Sequence, residues 1–272
     1  MPWLAHIVRA VYISDNPQVC VFTAYFDASG DKRSKVISIG GFVAEASRWD
    51  AFQNEWKALL PPGLDMFHMS DFASSKEGWE SWKGKSSKRA WFIEQLVTCI
   101  QRHTRKGFLA SMALDDYLAI NAEFQLGERA ESVYQLISVA AVSYLRKWSD
   151  KKSIDHRKIL CIFEEGDEDQ GSFIRNIQAE GYNAITQPKK NIRAFDACDF
   201  IAWRGKQLHD DALIKGLHVT PGVAADRLRA SLRQLDRIVG RSAHGTLSQS
   251  SMRRICEALG LPKRDPGTIL KP

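Results

Sequence analysis

Val19-Cys20-Val21-Phe22-Thr23-Ala24-Tyr25-Phe26-Asp27-Ala28-Ser29-Gly30-Asp31 is the stretch whose reading decides the fold. From Val19 to Phe26 it is unbroken and β-prone, the pattern of a strand covered on both faces. It ends on a carboxylate, and Ala28 to Asp31 supplies turn residues. A second run from Val36 to Ala44, V-I-S-I-G-G-F-V-A, predicts the partner strand of a hairpin. Gly40-Gly41 inside it predicts a bulge or a close backbone approach. An ionised carboxylate closing a buried strand must meet a cation, a set of donors or solvent. Asp27 therefore reads either as a metal ligand or as the cap of its own turn.

Working outward, helical periodicity runs from Arg48 to Leu60 and stops at Pro61-Pro62-Gly63. The short piece F-H-M-S-D-F (67–72) follows, then a loop, then an amphipathic helix from Ser87 to Thr104. Phe108 to Leu114 predicts a third strand, and Glu128 to Trp148 the longest helix. Lys158 to Phe163 and Ala184 to Gln187 read as strands; Phe173 to Ala179 and Ala197 to His209 read as helices. Helices at 223–238 and 252–259 close the chain. Without the helical insertion at about 48–105, the order is β-β-β-α-β-α-β-α. That is the order of an α/β, ribonuclease-H-like mixed sheet flanked by helices. The expected division is a ribonuclease-H-like domain at 19–210 and a helical C-terminal extension at 211–272 packed on it.

The acids fall where such a sheet would gather them. Glu164 and Glu165 end the Lys158 to Phe163 run, and Gly166 permits a sharp turn. Strand residues alternate faces, so one of the two points to the site; Asp167, Glu168 and Asp169 crowd the same turn. Asp196 and Asp199 stand three apart, on one face of a helix start, where Asp196 alternatively serves as N-cap. Asp199 lies among Ala197, Cys198, Phe200 and Ile201, an unusual setting for a charge. His68 and Asp71 share a face if locally helical, with Ser70 as an alternative N-cap. Glu128 and Glu131 open the long helix, where they suit its dipole or supply a further carboxylate.

Carboxylates drawn from several elements repel one another unless divalent cations neutralise them. The expected catalytic set is Asp27, Glu164, Glu165, Asp199 and His68. The expected ligands of Mg²⁺ or Mn²⁺, in a one- or two-ion site, are Asp27, Glu165, Asp199, Glu131 and Asp71. Lys189, Lys190 and Arg193 precede the Asp196/Asp199 helix and are expected to meet phosphates. Lys83 and Lys85, interleaved with Trp79, Trp82 and Trp91, either contact nucleic acid and stack bases or belong to a solvated loop over packed tryptophans.

Composition excludes several classes. Across 272 residues, 44% hydrophobic and 26% charged content is that of a globular chain. A net charge of +6 suits a polyanionic partner. The five cysteines are scattered and lack zinc-finger spacing, which predicts buried thiols and a reducing, cytoplasmic setting. No run is apolar enough to span a membrane, and no signal peptide, Walker loop or serine elbow stands in a convincing place.

Five motifs taken in order, Y-F-D-A-S-G-D, I-S-I-G-G-F-V-A, F-H-M-S-D-F, I-F-E-E-G-D and F-D-A-C-D-F-I-A-W, resemble the domain of unknown function 3800 family. That bacterial and phage-associated family looks like a member of the ribonuclease-H-like, retroviral-integrase-related superfamily. The likeness spans roughly residues 20–210. It implies that Asp27 stands for the Asp of D-E-S-G, Asp199 for the Asp of L-Q-A-A-D, His68 for the family histidine, and Glu164/Glu165 for its acidic strand end. Ala28 replaces the usual Glu, and Asp196 stands where Gln is usual.

The expected function is divalent-metal-dependent hydrolysis of phosphodiester bonds in RNA or DNA. The alternatives are a catalytically inactive nucleic-acid or partner-binding module on the same fold, and a small-molecule phosphoesterase. The C-terminal helices are a candidate homodimer surface.

Overall fold

The computed structural model describes residues 20–31, 33–126, 132–166, 170–215, 233–258 and 260–264. The strands are β1 (Phe22–Ser29), β2 (Val36–Glu45), β3 (Lys106–Ala113), β4 (Ile159–Glu164), β5 (Asn183–Gln187) and β6 (Ala243–Leu247). The helices are α1 (Ala46–Leu59), α2 (Met69–Ser74), α3 (Ser86–His103), α4 (Leu114–Glu123), α5 (Val133–Lys151), α6 (Gln170–Ala179), α7 (Arg193–Lys215), α8 (Arg233–Arg241) and α9 (Gln249–Ala258).

β1 and β2 pair antiparallel in unbroken register from Phe22 opposite Glu45 to Ser29 opposite Ser38. The Gly40-Gly41 pair is therefore a close approach and not a bulge. Asp27 lies inside the strand, opposite Gly40. The turn is capped by a different aspartate: Asp31 accepts the Arg33 backbone N–H at 3.0 Å, beside Gly30 at φ 110°.

The sheet runs β5-β4-β1-β2-β3-β6. β4 and β5 extend it in parallel from β1, β3 joins β2 antiparallel, and β6 lies parallel to β3. Among the described strands only β2 runs against the rest. This is the ribonuclease-H-like arrangement, with β6 added at one edge. The central strands β1 and β4 are apolar on both faces because helices cover both.

α1, α2, α3, α7 and α8 cover one face, meeting Tyr25, Phe42 and Ile162. Trp49, Phe52 and Trp56 recur along α1 at helical spacing and are buried there. Each such side chain contributes roughly 1.5–3 kcal/mol by leaving water. α4, α5, α6 and α9 cover the other face, where Phe26 stacks on Phe163 at 4.9 Å between ring centroids. Alternation along β1 thus sends Tyr25 and Asp27 to the α7 side, and Phe26 and Ala28 to the α5 side.

Two expectations change, and a third lies largely outside the described residues. Residues 114–123 form α4, which periodicity did not mark. The C-terminal part is not purely helical, since it supplies β6 to the sheet. Ala-His-Gly-Thr-Leu lacks an apolar run because an edge strand is half exposed. The helix expected at 223–238 falls largely outside the described residues, which resume at α8.

Candidate metal centre

Parallel strands reach the same edge of the sheet, and two neighbours carry acids just beyond the end of their shared ladder. The last paired residues of β1 and β4 are Phe26 and Phe163. One step on stand Asp27 and Glu164, side by side, with their carboxyls acting on one another. Glu164 shares the face of Ile162 and Leu160, which is the face of Tyr25 and Asp27.

α7 brings the third acid across that face. Its docking is local and specific. Ser38 Oγ donates to the Ala202 carbonyl at 2.6 Å, and the Cys198 thiol donates to the Tyr25 carbonyl at 3.2 Å. Gly40, opposite Asp27, lets the α7 backbone lie directly on β2. Asp199 then sits within electrostatic reach of Asp27. Its Oδ2 accepts the Met69 backbone N–H at 2.6 Å, which ties F-H-M-S-D-F to the same site. His68 precedes α2 as its N-cap residue, half-buried, and interacts with Asp199, Lys189 and Asp71.

A lysine occupies the middle. Lys189, from the turn between β5 and α7, places Nζ 2.9 Å from Asp27 Oδ2 and 3.5 Å from Glu164 Oε2. Lys189 is 8% exposed, Asp27 6% and Asp199 9%, so this pairing is shielded from solvent.

The charges are unbalanced, and the acidities record it. Burial raises Asp27 well above the usual carboxylate range, helped by the contact with Glu164 and opposed by Lys189. Burial likewise raises Asp199 to about 6, with Lys189 pulling it back. Burial alone would lower Lys189, but Asp27, Asp199 and Glu164 hold it above its ordinary value. Burial and then Lys189 lower His68 and keep it neutral at pH 7. Two buried acids and the half-buried Glu164 share one ammonium, so the site retains an affinity for further positive charge. Its carboxylate oxygens suit a hard divalent ion such as Mg²⁺ or Mn²⁺.

No family model matches the chain, and no curated protein matches it. Among solved structures, it is similar to the ribonuclease H2 from Pyrococcus horikoshii OT3, at 13% identity. That match covers 78% of this chain and 84% of the other, with a TM-score of 0.40.

Of the residues expected from sequence, Asp27, Glu164, Asp199 and His68 converge, with Asp71 beside His68. Glu165 does not: alternation turns it outward, where it is exposed. Glu131 lies outside the described residues, as do Glu128 and the run Asp167–Asp169. Lys189 is not an outward phosphate contact but an internal counter-ion. Arg193 is buried against Asp196 at 3.6 Å, leaving Lys190 as the exposed cation of that trio. Lys83 and Lys85 are exposed. Trp79 and Trp82 pack with Phe72 and Phe92 and cannot stack bases; Trp91 remains exposed. Asp196 is no N-cap: it sits within α7 and accepts the Trp56 indole N–H at 3.0 Å. Ala28 packs on the opposite core and not on the Asp27 face.

A second group was missed. Cys99 and His103 lie one turn apart on α3 and face Glu55 of α1, with donor atoms within 4.8 Å of one another. Such a mixed set could hold a zinc-like ion. Glu55 already binds His103 at 2.7 Å and Arg102 at 2.7 Å, which clamps α1 to α3. The C-x-x-x-H spacing was legible; its partner, 44 positions away from Cys99 and 48 from His103, was not.

A pH dependence follows from the buried acids. Burial raises Asp196 to about 7, against Arg193, Lys189 and the Trp56 hydrogen bond. A carboxyl raised in the fold stabilises it fully below its unfolded value near 4 and loses that contribution as pH rises through the folded value. With chelator present, unfolding by denaturant should therefore require less denaturant at pH 8 than at pH 5. For Asp196 the loss between these pH values is on the order of 2–3 kcal/mol. His68, lowered by burial and Lys189, acts in the opposite sense as pH falls through the histidine range. Asp196→Asn should shrink the difference, and equal stability of the wild type at both pH values would contradict the burial argument.

Proposed function

We propose that the protein hydrolyses phosphodiester bonds of RNA or DNA with Mg²⁺ or Mn²⁺ held by Asp27, Glu164 and Asp199. The observation that carries this reading is the convergence of three carboxylates, from β1, β4 and α7, on one edge of a ribonuclease-H-like sheet. A divalent ion in such a set activates water and neutralises charge on a phosphate.

The remaining roles belong to the chain. Asp27 and Glu164 are fixed by the strand register, so their separation is set by the sheet. Asp199 is fixed by α7 and by the Met69 N–H. His68, neutral and half-buried at the site, is suited to accept a proton from water or donate one to a departing oxygen. Lys190, Lys83 and Lys85 offer exposed cations to a phosphate backbone. The resemblance of the motifs to the domain of unknown function 3800 family agrees with this assignment of roles.

One observation favours a second reading. Lys189 already pairs with Asp27 and Glu164. A module that binds nucleic acid without cutting it would need no more than that ion pair. Incubation of labelled RNA and DNA, single- and double-stranded, with and without Mn²⁺ separates the two. The expected result is metal-dependent cleavage that Asp27→Asn reduces at least about 100-fold, since even groups that only support a metal ligand are worth 10–100-fold. Binding without cleavage, or cleavage that Asp27→Asn leaves intact, would favour the inactive module or another centre.

A further inference from the structure

The lysine among the acids sets how many ions the site can take. Asp27, Glu164 and Asp199 carry three negative charges between them when ionised, and Lys189 carries one positive charge. The remainder is two negative charges, which one divalent cation neutralises. Two divalent ions beside the same ammonium would leave the pocket positive, in surroundings where unscreened like charges repel strongly.

Lys189 is not a surface side chain that has strayed inward. Its backbone carbonyl accepts the Ile192 N–H at 3.0 Å, closing a turn just before α7. Asn191 in that turn has a left-handed φ of 69°. Its neighbour Lys190 is exposed, so the turn presents one lysine to solvent and sends the other into the carboxylates. Nζ lies close to two of the three acids, within 2.9 Å of Asp27 and 3.5 Å of Glu164, while Asp199 acts on it at longer range. That leaves the Asp199 side of the pocket, bordered by His68, as the side with acidic charge that no ammonium among the described residues contacts directly.

We infer that Lys189 is a permanent second cation, which makes this a one-ion site holding its divalent metal toward Asp199, in place of a two-ion centre. The inference rests on the metal-dependent reading above. On this account the lysine does for one side of a phosphate what a second ion would do. It contributes fixed positive charge near the departing or attacking oxygen without needing to be loaded from solution.

Titration calorimetry and Mn²⁺ paramagnetic resonance on the full chain test this at pH 7.5. The wild type should bind one Mn²⁺ per chain, lost in Asp27→Asn. Lys189→Met should bind its first Mn²⁺ at least tenfold more tightly and accept a second. Lys189→Arg, which keeps the charge, should keep the stoichiometry of one. Two ions in the wild type, both lost in Asp27→Asn, would overturn the inference while leaving the metal-dependent reading standing. So would Lys189→Met binding Mn²⁺ as the wild type does. No Mn²⁺ bound by either the wild type or Lys189→Met would overturn the metal-dependent reading and the inference together. The wild-type stoichiometry decides the matter even if Lys189→Met fails to fold.

Discussion

Gly40→Ala should lower the melting temperature by about 5–10 °C and weaken Mn²⁺ binding, although residue 40 touches no ligand. A Cβ at this position would lie 2.5 Å from Ile201 Cγ2, 2.7 Å from the Ala202 nitrogen and 3.0 Å from the Cys198 carbonyl oxygen. Two of those three atoms are α7 backbone, which cannot rotate out of the way. Overpacking of this kind costs roughly 1–3 kcal/mol or more, and each kcal/mol is worth about 2–4 °C in a chain of this size. The relief available is to lift α7 off β2. That strains the Ser38 and Cys198 hydrogen bonds and carries Asp199 away from Asp27, which lies opposite Gly40 in the register. Gly240→Ala is the control, because nothing lies within 4 Å of the added Cβ and alanine suits the helix interior better than glycine. Thermal melts with and without Mn²⁺ compare the two. A Gly40→Ala protein that melts with the wild type and binds Mn²⁺ equally would mean that the helix is not seated on that glycine.

How much of this was legible beforehand depends on whether a feature is local. The β1 strand, the Asp27 that follows its apolar run and the glycine pair of β2 are local patterns, and each has a local cause: continuous burial, the end of the β1–β4 ladder, and the absence of a Cβ. Asp199 was legible because an ionised group among Ala197, Cys198, Phe200 and Ile201 needs an explanation outside its own helix. The choice between Glu164 and Glu165 was not legible. It depends on which face of β4 α7 covers, and that is a tertiary fact. Lys189 was misread for a related reason. A lysine in a Pro-Lys-Lys-Asn turn normally points to water, and nothing in the turn reveals that three acids from distant segments wait beneath it. The tryptophans at 79 and 82 were ambiguous between stacking platform and core. The partners that decide the matter are Phe67 and Phe72 from the F-H-M-S-D-F piece and Phe92 from α3. β6 escaped notice because an edge strand in parallel pairing takes its stability from β3 and not from its own composition.

Asp199 separates chemistry from architecture, because asparagine and alanine remove different things from it. Its charge acts on Asp27, Lys189 and His68, while its Oδ2 separately accepts the Met69 N–H at 2.6 Å. Asparagine keeps a carbonyl oxygen for Met69 and removes the charge. Asp199→Asn is therefore expected to reduce Mn²⁺-dependent cleavage at least about 100-fold while melting within a few degrees of the wild type. Burial already disfavours the ionised form and raises this carboxyl to about 6, so at pH 8 without metal the neutral amide should cost nothing in stability. Alanine removes both functions. The Met69 N–H, at the buried start of α2, then has no acceptor, which costs roughly 1–3 kcal/mol. The same loss releases the segment that holds His68 against the site. Asp199→Ala should thus match Asp199→Asn in lost cleavage but melt several degrees lower. Cleavage assays in Mn²⁺, paired with melts in chelator, read the two effects independently. Full cleavage by Asp199→Asn would remove Asp199 from the metal site. Equal melting of the two variants would mean that α2 is held by its aromatic packing alone, with Phe67 and Phe72 sufficient to seat His68.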